Sequence, residues 1–232
     1  MNKNALCVMV KIPCIPKDSS LAGTIKTRLV PPLTNAEATG LYSAFLSDIF
    51  NTLACLKNVD IHIFFTPSGD GVDTSTLTKL VPSNAVLTPQ KGTDLGERMK
   101  NAFSLLFSKR YARVAVIGSD SPDIPLKFIE KAFEELDLDQ GSLILGPATD
   151  GGYYLIAMGR LHPAVFDGVK WSTPQVLSQT LERAKSAEIK VHLLKQWYDI
   201  DIPEDLEKLR NNKAAPCSAI FMEKISKNSK VD

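Results

Sequence analysis

Cysteine and histidine are scarce in this sequence, and their spacing narrows the chemistry. The four cysteines (Cys7, Cys14, Cys55 and Cys217) form no CxxC pair and group with no histidine. Neither a disulfide framework nor a structural zinc site is indicated, and a reducing cytoplasm is the expected compartment. The three histidines are scattered: His62 and His192 fall within strand-like runs and His162 precedes a proline, which gives little support to a histidine-centred mechanism. No GxSxG elbow occurs. No run approaches the roughly 20 apolar residues of a membrane helix. The N-terminus also lacks a basic segment followed by an apolar stretch and a cleavage site, so neither export nor membrane insertion is expected. Excess charge of one sign is missing too, with 27 lysines and arginines against 26 acids. Nothing marks a nucleic acid or a membrane surface as partner.

What is present is ordinary globular composition and a regular alternation of patterns. With 232 residues and 44% apolar content, the chain is long enough to bury a substantial core as one large domain. Residues 1–212 read as that domain, and residues 213–232 as a polar tail whose apolar cluster "AIFMEKI" is suited to a short docked helix. "ALCVMVKI" (5–12) is nearly all apolar, as a central parallel strand must be when both of its faces are covered. "TNAE" sets a capping box, Thr34 with Glu37, before apolar positions Leu41, Phe45, Ile49 and Leu53, and so predicts an amphipathic helix of about 20 residues. Further strands are expected at 60–67, 84–90 and 113–118. Helices are expected after Asp94 and after Pro125. From residue 142 the habit changes: "SLILG" and "YYLIAM" flank the turn-rich "PATDGG", which predicts a hairpin in a mixed sheet. A helix over 174–187, a strand at 190–195 and a proline-initiated helix in "IPEDLEKLR" complete the pattern. The predicted architecture is a three-layer α/β/α sandwich with a mostly parallel mixed sheet.

Open α/β sheets bind ligands beyond the carboxyl ends of their strands, and four clusters fall there. In "GTIKTRL" Gly23 loosens a loop carrying Lys26, Thr27 and Arg28, a point charge and a bidentate fork suited to phosphate oxygens. The plain alternative is a solvated basic loop. Neither a Walker loop nor a dinucleotide fingerprint is present there, so phosphate recognition would rest on side chains. In "GSDSPDIP" Asp120 directly ends a strand, while Asp123 stands where acids commonly start a turn or helix. Carboxylates beside a phosphate site imply a hard divalent cation between them, magnesium or manganese. In "GPATDGGYYL" Asp150 precedes Gly151 and Gly152. This is either a turn alone, or a turn that with Tyr153 and Tyr154 walls a site for a sugar or acceptor. In "YDIDIPED" Asp199 and Asp201 share one side of an extended segment, and either could complete a metal's ligand set. Asp201 with Glu204 is equally readable as a helix start. Trp171 and Trp197 are core or groove residues, with Trp171 the candidate for ligand contact.

Taken in order, "KIP", "GTIKTRL", "GTDLGERM", "IGSDSPDIP", "GPATDGGYYLIAM", "KWST" and "WYDIDIPEDL" resemble the nucleotide-diphospho-sugar transferase superfamily, the glycosyltransferase A fold. More closely, they resemble the bacterial radical-SAM/selenodomain-associated transferases. The "KTRL" element is also similar to that of 2-phospho-lactate guanylyltransferases. Between "KIP" and Gly23 the chain carries "CIPKDSSLA", longer than that family usually has. The resemblance implies a metal-dependent glycosyltransferase using a nucleotide sugar and a small-molecule acceptor; the alternatives are a nucleotidyltransferase that passes a nucleotidyl group from a nucleoside triphosphate to a phosphorylated small molecule with release of pyrophosphate, and a non-catalytic nucleotide-binding module. It implies phosphate contacts from Lys11, Gly23, Lys26, Thr27, Arg28 and Arg98, and catalytic roles for Asp120, Lys26 and Asp150. Acceptor or sugar contacts would come from Gly151, Gly152, Tyr153 and Trp171, and the magnesium or manganese ligands from Asp120, Asp199 and Asp201.

Overall fold

The computed structural model describes residues 3–13, 25–66 and 74–228. Gly23, Cys14 and the longer segment that joins them lie outside the described residues. Seven strands form one sheet: β1 (Asn4–Val10), β2 (Val59–Phe65), β3 (Val86–Pro89), β4 (Arg113–Ile117), β5 (Leu143–Pro147), β6 (Tyr153–Met158) and β7 (Val191–Leu193). Their spatial order is β3-β2-β1-β4-β6-β5-β7. β1 is central and parallel to both β2 and β4, and Ala5 to Val8 have no solvent exposure, which accounts for its unbroken apolar run.

The expected hairpin is β5 paired antiparallel with β6. Because β6 alone runs against the others, its first residues emerge at the edge where β1 and β4 end. The turn between β5 and β6 needs its glycine. Gly151 has φ +90°, and a Cβ there would stand 2.1 Å from the Pro174 carbonyl oxygen.

Among the described residues six α-helices cover the two faces: α1 (Asn35–Leu53), α2 (Ser75–Leu80), α3 (Leu95–Ser108), α4 (Leu126–Leu138), α5 (Val176–Ser186) and α6 (Pro216–Asn228). Side chains of α1, α2, α4 and α6 join the apolar cluster on one face, and those of α3 and α5 join the cluster on the other. The capping box read from sequence is formed: the Glu37 amide donates to Thr34 Oγ1 at 3.2 Å and Thr34 N donates to Glu37 at 2.8 Å; α3 is capped by Asp94, which accepts the Glu97 amide at 2.8 Å, while the Glu97 carboxylate accepts the Thr93 amide at 2.8 Å.

Two segments differ from the pattern-based expectation. α2 leaves no sequence signal because six residues with a single fully buried side chain, Leu77, are too short to show periodicity. Pro203–Leu209 is a 3-10 helix instead of an α-helix. Its buried leucines, Leu206 and Leu209, are three residues apart, and three residues per turn bring both onto the core.

α6 is docked on α1 by polar as well as apolar contacts. Phe221, Met222 and Ile225 pack against the core. Asp48, only 1% exposed on α1, accepts the backbone N–H of Cys217 and of Ser218 at 2.8 Å and the Ser218 hydroxyl at 2.6 Å. A carboxylate at a helix N-terminus satisfies otherwise orphaned amides. Asp48→Ala should cost about 2 to 3 kcal/mol of stability by leaving two buried N–H groups unmet. Urea unfolding checks this, and a variant within error of the parent would refute the role assigned to Asp48.

Candidate functional site

A cavity of about 700 Å3 opens at the carboxyl edge of the sheet. Its wall includes Lys11 after β1, the 3-10 turn Thr27–Leu29, Gly118–Ser121 after β4, the β5–β6 turn, and Asp199 and Asp201 after β7. Sequence clusters spread from Lys26 to Asp201 therefore meet in one place.

The centre of the site is an ammonium held by carboxylates. Lys26 has a left-handed backbone (φ 52°), and its side chain, 5% exposed, reaches Asp120 Oδ1 at 2.5 Å and Asp201 Oδ1 at 2.7 Å. Its third donor goes to the Ile200 carbonyl at 2.6 Å, and the Phe45 ring lies beneath at 5.4 Å. Burial works against its charge, but Asp120 and Asp201 outweigh that penalty and hold its pKa above the usual lysine value. The carboxylates are in place because Ile200 N donates to the Asp120 carbonyl at 2.8 Å. That bond lays the extended segment beside the end of β4, buries Ile200, and by two-residue alternation turns Asp199 and Asp201 to the same side.

Asp199 accepts the Ser121 hydroxyl at 2.5 Å. Its pKa is pushed up to about 7, chiefly by burial, with Asp120, Asp201 and Asp150 adding repulsion and the Ser121 bond opposing. The helix start read for Asp201 belongs instead to Asp205, whose carboxylate accepts the N–H of Asp201 at 3.0 Å and of Ile202 at 3.1 Å. That leaves the Asp201 side chain for Lys26.

Asp123 does not line the cavity. It is buried and accepts from Trp197 Nε1 at 3.2 Å, from Asn212 Nδ2 at 2.9 Å and from the Tyr198 hydroxyl, so it anchors the segment that carries Asp199 and Asp201. Asp150 is exposed on the β5–β6 turn and accepts the Gly152 amide at 2.9 Å. The turn is tied to α5 by Leu177 N donating to the Gly151 carbonyl at 2.9 Å.

Gly152 and Tyr153 line the same cavity, but the Tyr153 hydroxyl is buried toward Thr180 of α5, leaving the body of the residue at the wall. Tyr154 packs into the core, its hydroxyl donating to the Lys195 carbonyl at 2.9 Å. Trp171 rests on the first turn of α3, where a Cβ on Gly96 would fall 2.4 Å from the indole. Lys11, Thr27, Arg28 and Arg98 line the cavity, with Arg98 Nε donating to the Gly92 carbonyl at 3.2 Å.

Other participants carry no pattern in the sequence. The Tyr42 hydroxyl accepts the Lys11 amide at 2.9 Å and shares a hydrogen bond with Ser119 at 2.7 Å, joining the ends of β1 and β4. Burial, with Asp120 adding to it, pushes the Tyr42 hydroxyl's pKa up and keeps it neutral. Gln90 bridges the carbonyls of Phe64 and Val10 at 2.8 and 3.3 Å and accepts from Thr66 at 3.1 Å. The Ile200 carbonyl, being backbone, leaves no trace in side-chain identity.

Among the described residues, no three carboxylate, histidine or cysteine side chains are grouped to hold an ion unaided. Asp120, Asp199 and Asp201 nevertheless offer hard oxygens on one wall. That suits magnesium or manganese when phosphate oxygens complete the shell, since such ions use one or two carboxylates together with the substrate's phosphates. Among the described residues no helix is long and apolar enough to cross a membrane.

Comparison with known proteins agrees with this layout. The family model for "Uncharacterized protein conserved in bacteria (DUF2064)" matches residues 49–173. A crystal structure from Desulfovibrio desulfuricans G20, provisionally assigned as a nucleotide-diphospho-sugar transferase, has 32% identity and a TM-score of 0.84, covering 97% of this chain and 95% of that one. CMP:2-keto-3-deoxy-manno-octonic acid synthetase complexed with CTP superposes with a TM-score of 0.56 at 12% identity, covering 90% of this chain and 97% of its own. Rv0371c of Mycobacterium tuberculosis H37Rv, in complex with manganese, gives 0.52 at 10% identity, covering 90% and 99%. The last two show likeness of fold alone. Comparison with the curated proteins gives no match.

The raised pKa of Asp199 has a measurable consequence. The folded protein keeps that proton to about pH 7, whereas the unfolded chain releases it near pH 4. Between those values the native state binds more protons, so the stabilising contribution is complete below about pH 4 and is lost as pH rises through about 7. Raising the pH from about 5 to 8 should therefore lower the urea midpoint of the parent more than that of Asp199→Asn. Parallel declines in the two proteins would show that no such proton is held.

Proposed function

The chain belongs to the bacterial family described as DUF2064 and is a transferase with a nucleotide-diphospho-sugar-transferase-like fold; from that premise we propose that it moves a glycosyl group from a nucleotide-diphospho-sugar to a small-molecule acceptor, with magnesium or manganese as cofactor.

The observation that carries this reading is the convergence of opposite charges in one cavity. Its cations come from β1, the segment after it and α3: Lys11, Lys26, Arg28 and Arg98. Its carboxylates follow β4, β5 and β7: Asp120, Asp150, Asp199 and Asp201. The cationic side suits the diphosphate, where Arg28 can fork two phosphate oxygens and Lys11 adds a point charge. The Asp150 turn, Gly152 and the Trp171 indole line the same cavity and suit an uncharged sugar and a hydroxyl-bearing acceptor. A phosphorylated acceptor would meet the Asp150 and Asp199 carboxylates there, which disfavours the rival reading of nucleotidyl transfer. That rival keeps some support from the "KTRL" element and from the fold shared with a CTP-binding synthetase.

Asp120, Asp199 and Asp201 are the side chains that would hold the cofactor together with phosphate oxygens, and the ion supplies charge neutralisation for the departing diphosphate. In this reading Asp150 takes the acceptor's proton as the acceptor oxygen bonds to the sugar carbon and the sugar–phosphate bond breaks. Its carboxylate is fixed by the Gly152 amide at 2.9 Å, which limits its reorganisation.

Incubation with a panel of nucleotide sugars and manganese should release a nucleoside diphosphate, slowly to water and faster to a suitable alcohol. Asp120→Asn should remove that activity. Arg28→Ala should weaken nucleotide binding about 10- to 100-fold in calorimetry, the loss of about 1 to 3 kcal/mol typical of a hydrogen bond to a charged group. Pyrophosphate formed from a nucleoside triphosphate, with no turnover of any nucleotide sugar, would replace this reading with the nucleotidyl one.

A further inference from the structure

The oxygens around Lys26 form a cation site in their own right. Asp120 Oδ1, Asp201 Oδ1 and the Ile200 carbonyl stand 2.5, 2.7 and 2.6 Å from the ammonium nitrogen. Two carboxylates and a backbone carbonyl are the ligand types that hard divalent cations take, at about 2.0 to 2.6 Å. All three donors of the ammonium are used, and the Phe45 ring closes the floor. A divalent cation bound between Asp120 and Asp201 would therefore coincide with the Lys26 nitrogen. Two positive charges cannot share so small a gap, because each would take the other's counter-ions.

We infer that Lys26 is a built-in competitor for the cation site, so that a divalent ion enters between Asp120 and Asp201 only as the Lys26 ammonium leaves for the phosphate oxygens of a bound nucleotide. This rests on the reading of the cavity as a nucleotide site. The geometry supports such an exchange. Lys26 precedes a single 3-10 turn whose next residues, Thr27 and Arg28, line the same cavity, so an outward swing of the side chain delivers the ammonium to the place where phosphate would lie. An ammonium displaced from its carboxylates needs another anion. The divalent ion and the nucleotide should each therefore favour binding of the other, and by linkage the coupling is reciprocal. The chain would then hold the metal poorly until donor arrives, a safeguard against pairing carboxylates and ion without substrate.

The test is titration of the full chain with Mn2+, followed by electron paramagnetic resonance, alone and with UDP, GDP, CDP and ADP in turn. In the parent, at least one nucleotide should tighten Mn2+ binding about tenfold or more, within the usual range of such couplings. Lys26→Met, which keeps the length and removes the charge, should bind Mn2+ alone at least about tenfold tighter than the parent and lose most of the nucleotide dependence. Should that variant fail to fold, acylation of Lys26 in the parent, read by mass spectrometry, serves instead. The buried amine should react slowly without metal and faster in saturating Mg2+. Equal Mn2+ affinity in parent and Lys26→Met, or an acylation rate unchanged while Mg2+ binds, overturns the inference. If those negative results come with nucleotide-dependent Mn2+ binding, the glycosyl-transfer reading stands without the exchange. If neither nucleotide nor metal binds in any arm, both are refuted.

Discussion

An ammonium group that is almost wholly removed from water is stable only where negative charge has been brought to meet it, and much of this protein's architecture serves that requirement at Lys26. Its counter-charges, Asp120 and Asp201, come from positions 94 and 175 residues further along. Asp120 follows β4, and the backbone bond from Ile200 N to the Asp120 carbonyl holds the segment that carries Asp201 beside it. That bond in turn needs the 197–201 segment held against the end of β4, which the buried Asp123 achieves through Trp197, Tyr198 and Asn212. One ion cluster thus summarises the contacts among β1, β4 and the chain that follows β7.

The sheet order explains why such a cluster sits at a cavity and not within the core. β1 and β4 are adjacent and parallel, so the segments that follow them leave the sheet side by side. The reversal of β6 brings the Asp150 turn to the same edge, with no helix needed to carry the chain across. Cations from one half and carboxylates from the other then converge on one cavity of about 700 Å3, with Lys26 paired directly to Asp120 and Asp201. Side chains elsewhere in the fold that might look catalytic by residue type, such as His62 against Tyr111 at 2.9 Å, take part in local hydrogen bonds instead.

Much of this was legible in the order of residues because the underlying rules are local. The apolar runs of β1 and β4, the caps at Thr34 and Asp94, and the turn at Asp150–Gly152 each depend on neighbours within a few positions, where side-chain period, capping and turn chemistry operate. The alternation that turns Asp199 and Asp201 to one side is local as well. Less legible were α2, too short to show a period, and the change of Pro203–Leu209 to a 3-10 helix, which the spacing of two buried leucines settles only once the core is present. Asp123 illustrates the limit: a helix-start acid by its neighbours, it is a buried acceptor by its contacts.

The amino-acid order by itself determined the class of fold, the family resemblance and the set of charged residues at strand ends, because these follow from composition, period and motif. Only the tertiary structure decided which charges meet. Lys26 is an exposed basic residue in any local reading, and it becomes a buried ammonium under Asp120, Asp201 and the Ile200 carbonyl because strands distant in sequence are neighbours in the sheet. A carbonyl oxygen has no letter in the sequence, and the distance between two side chains is fixed by packing, so the cation site existed nowhere until the chain had folded.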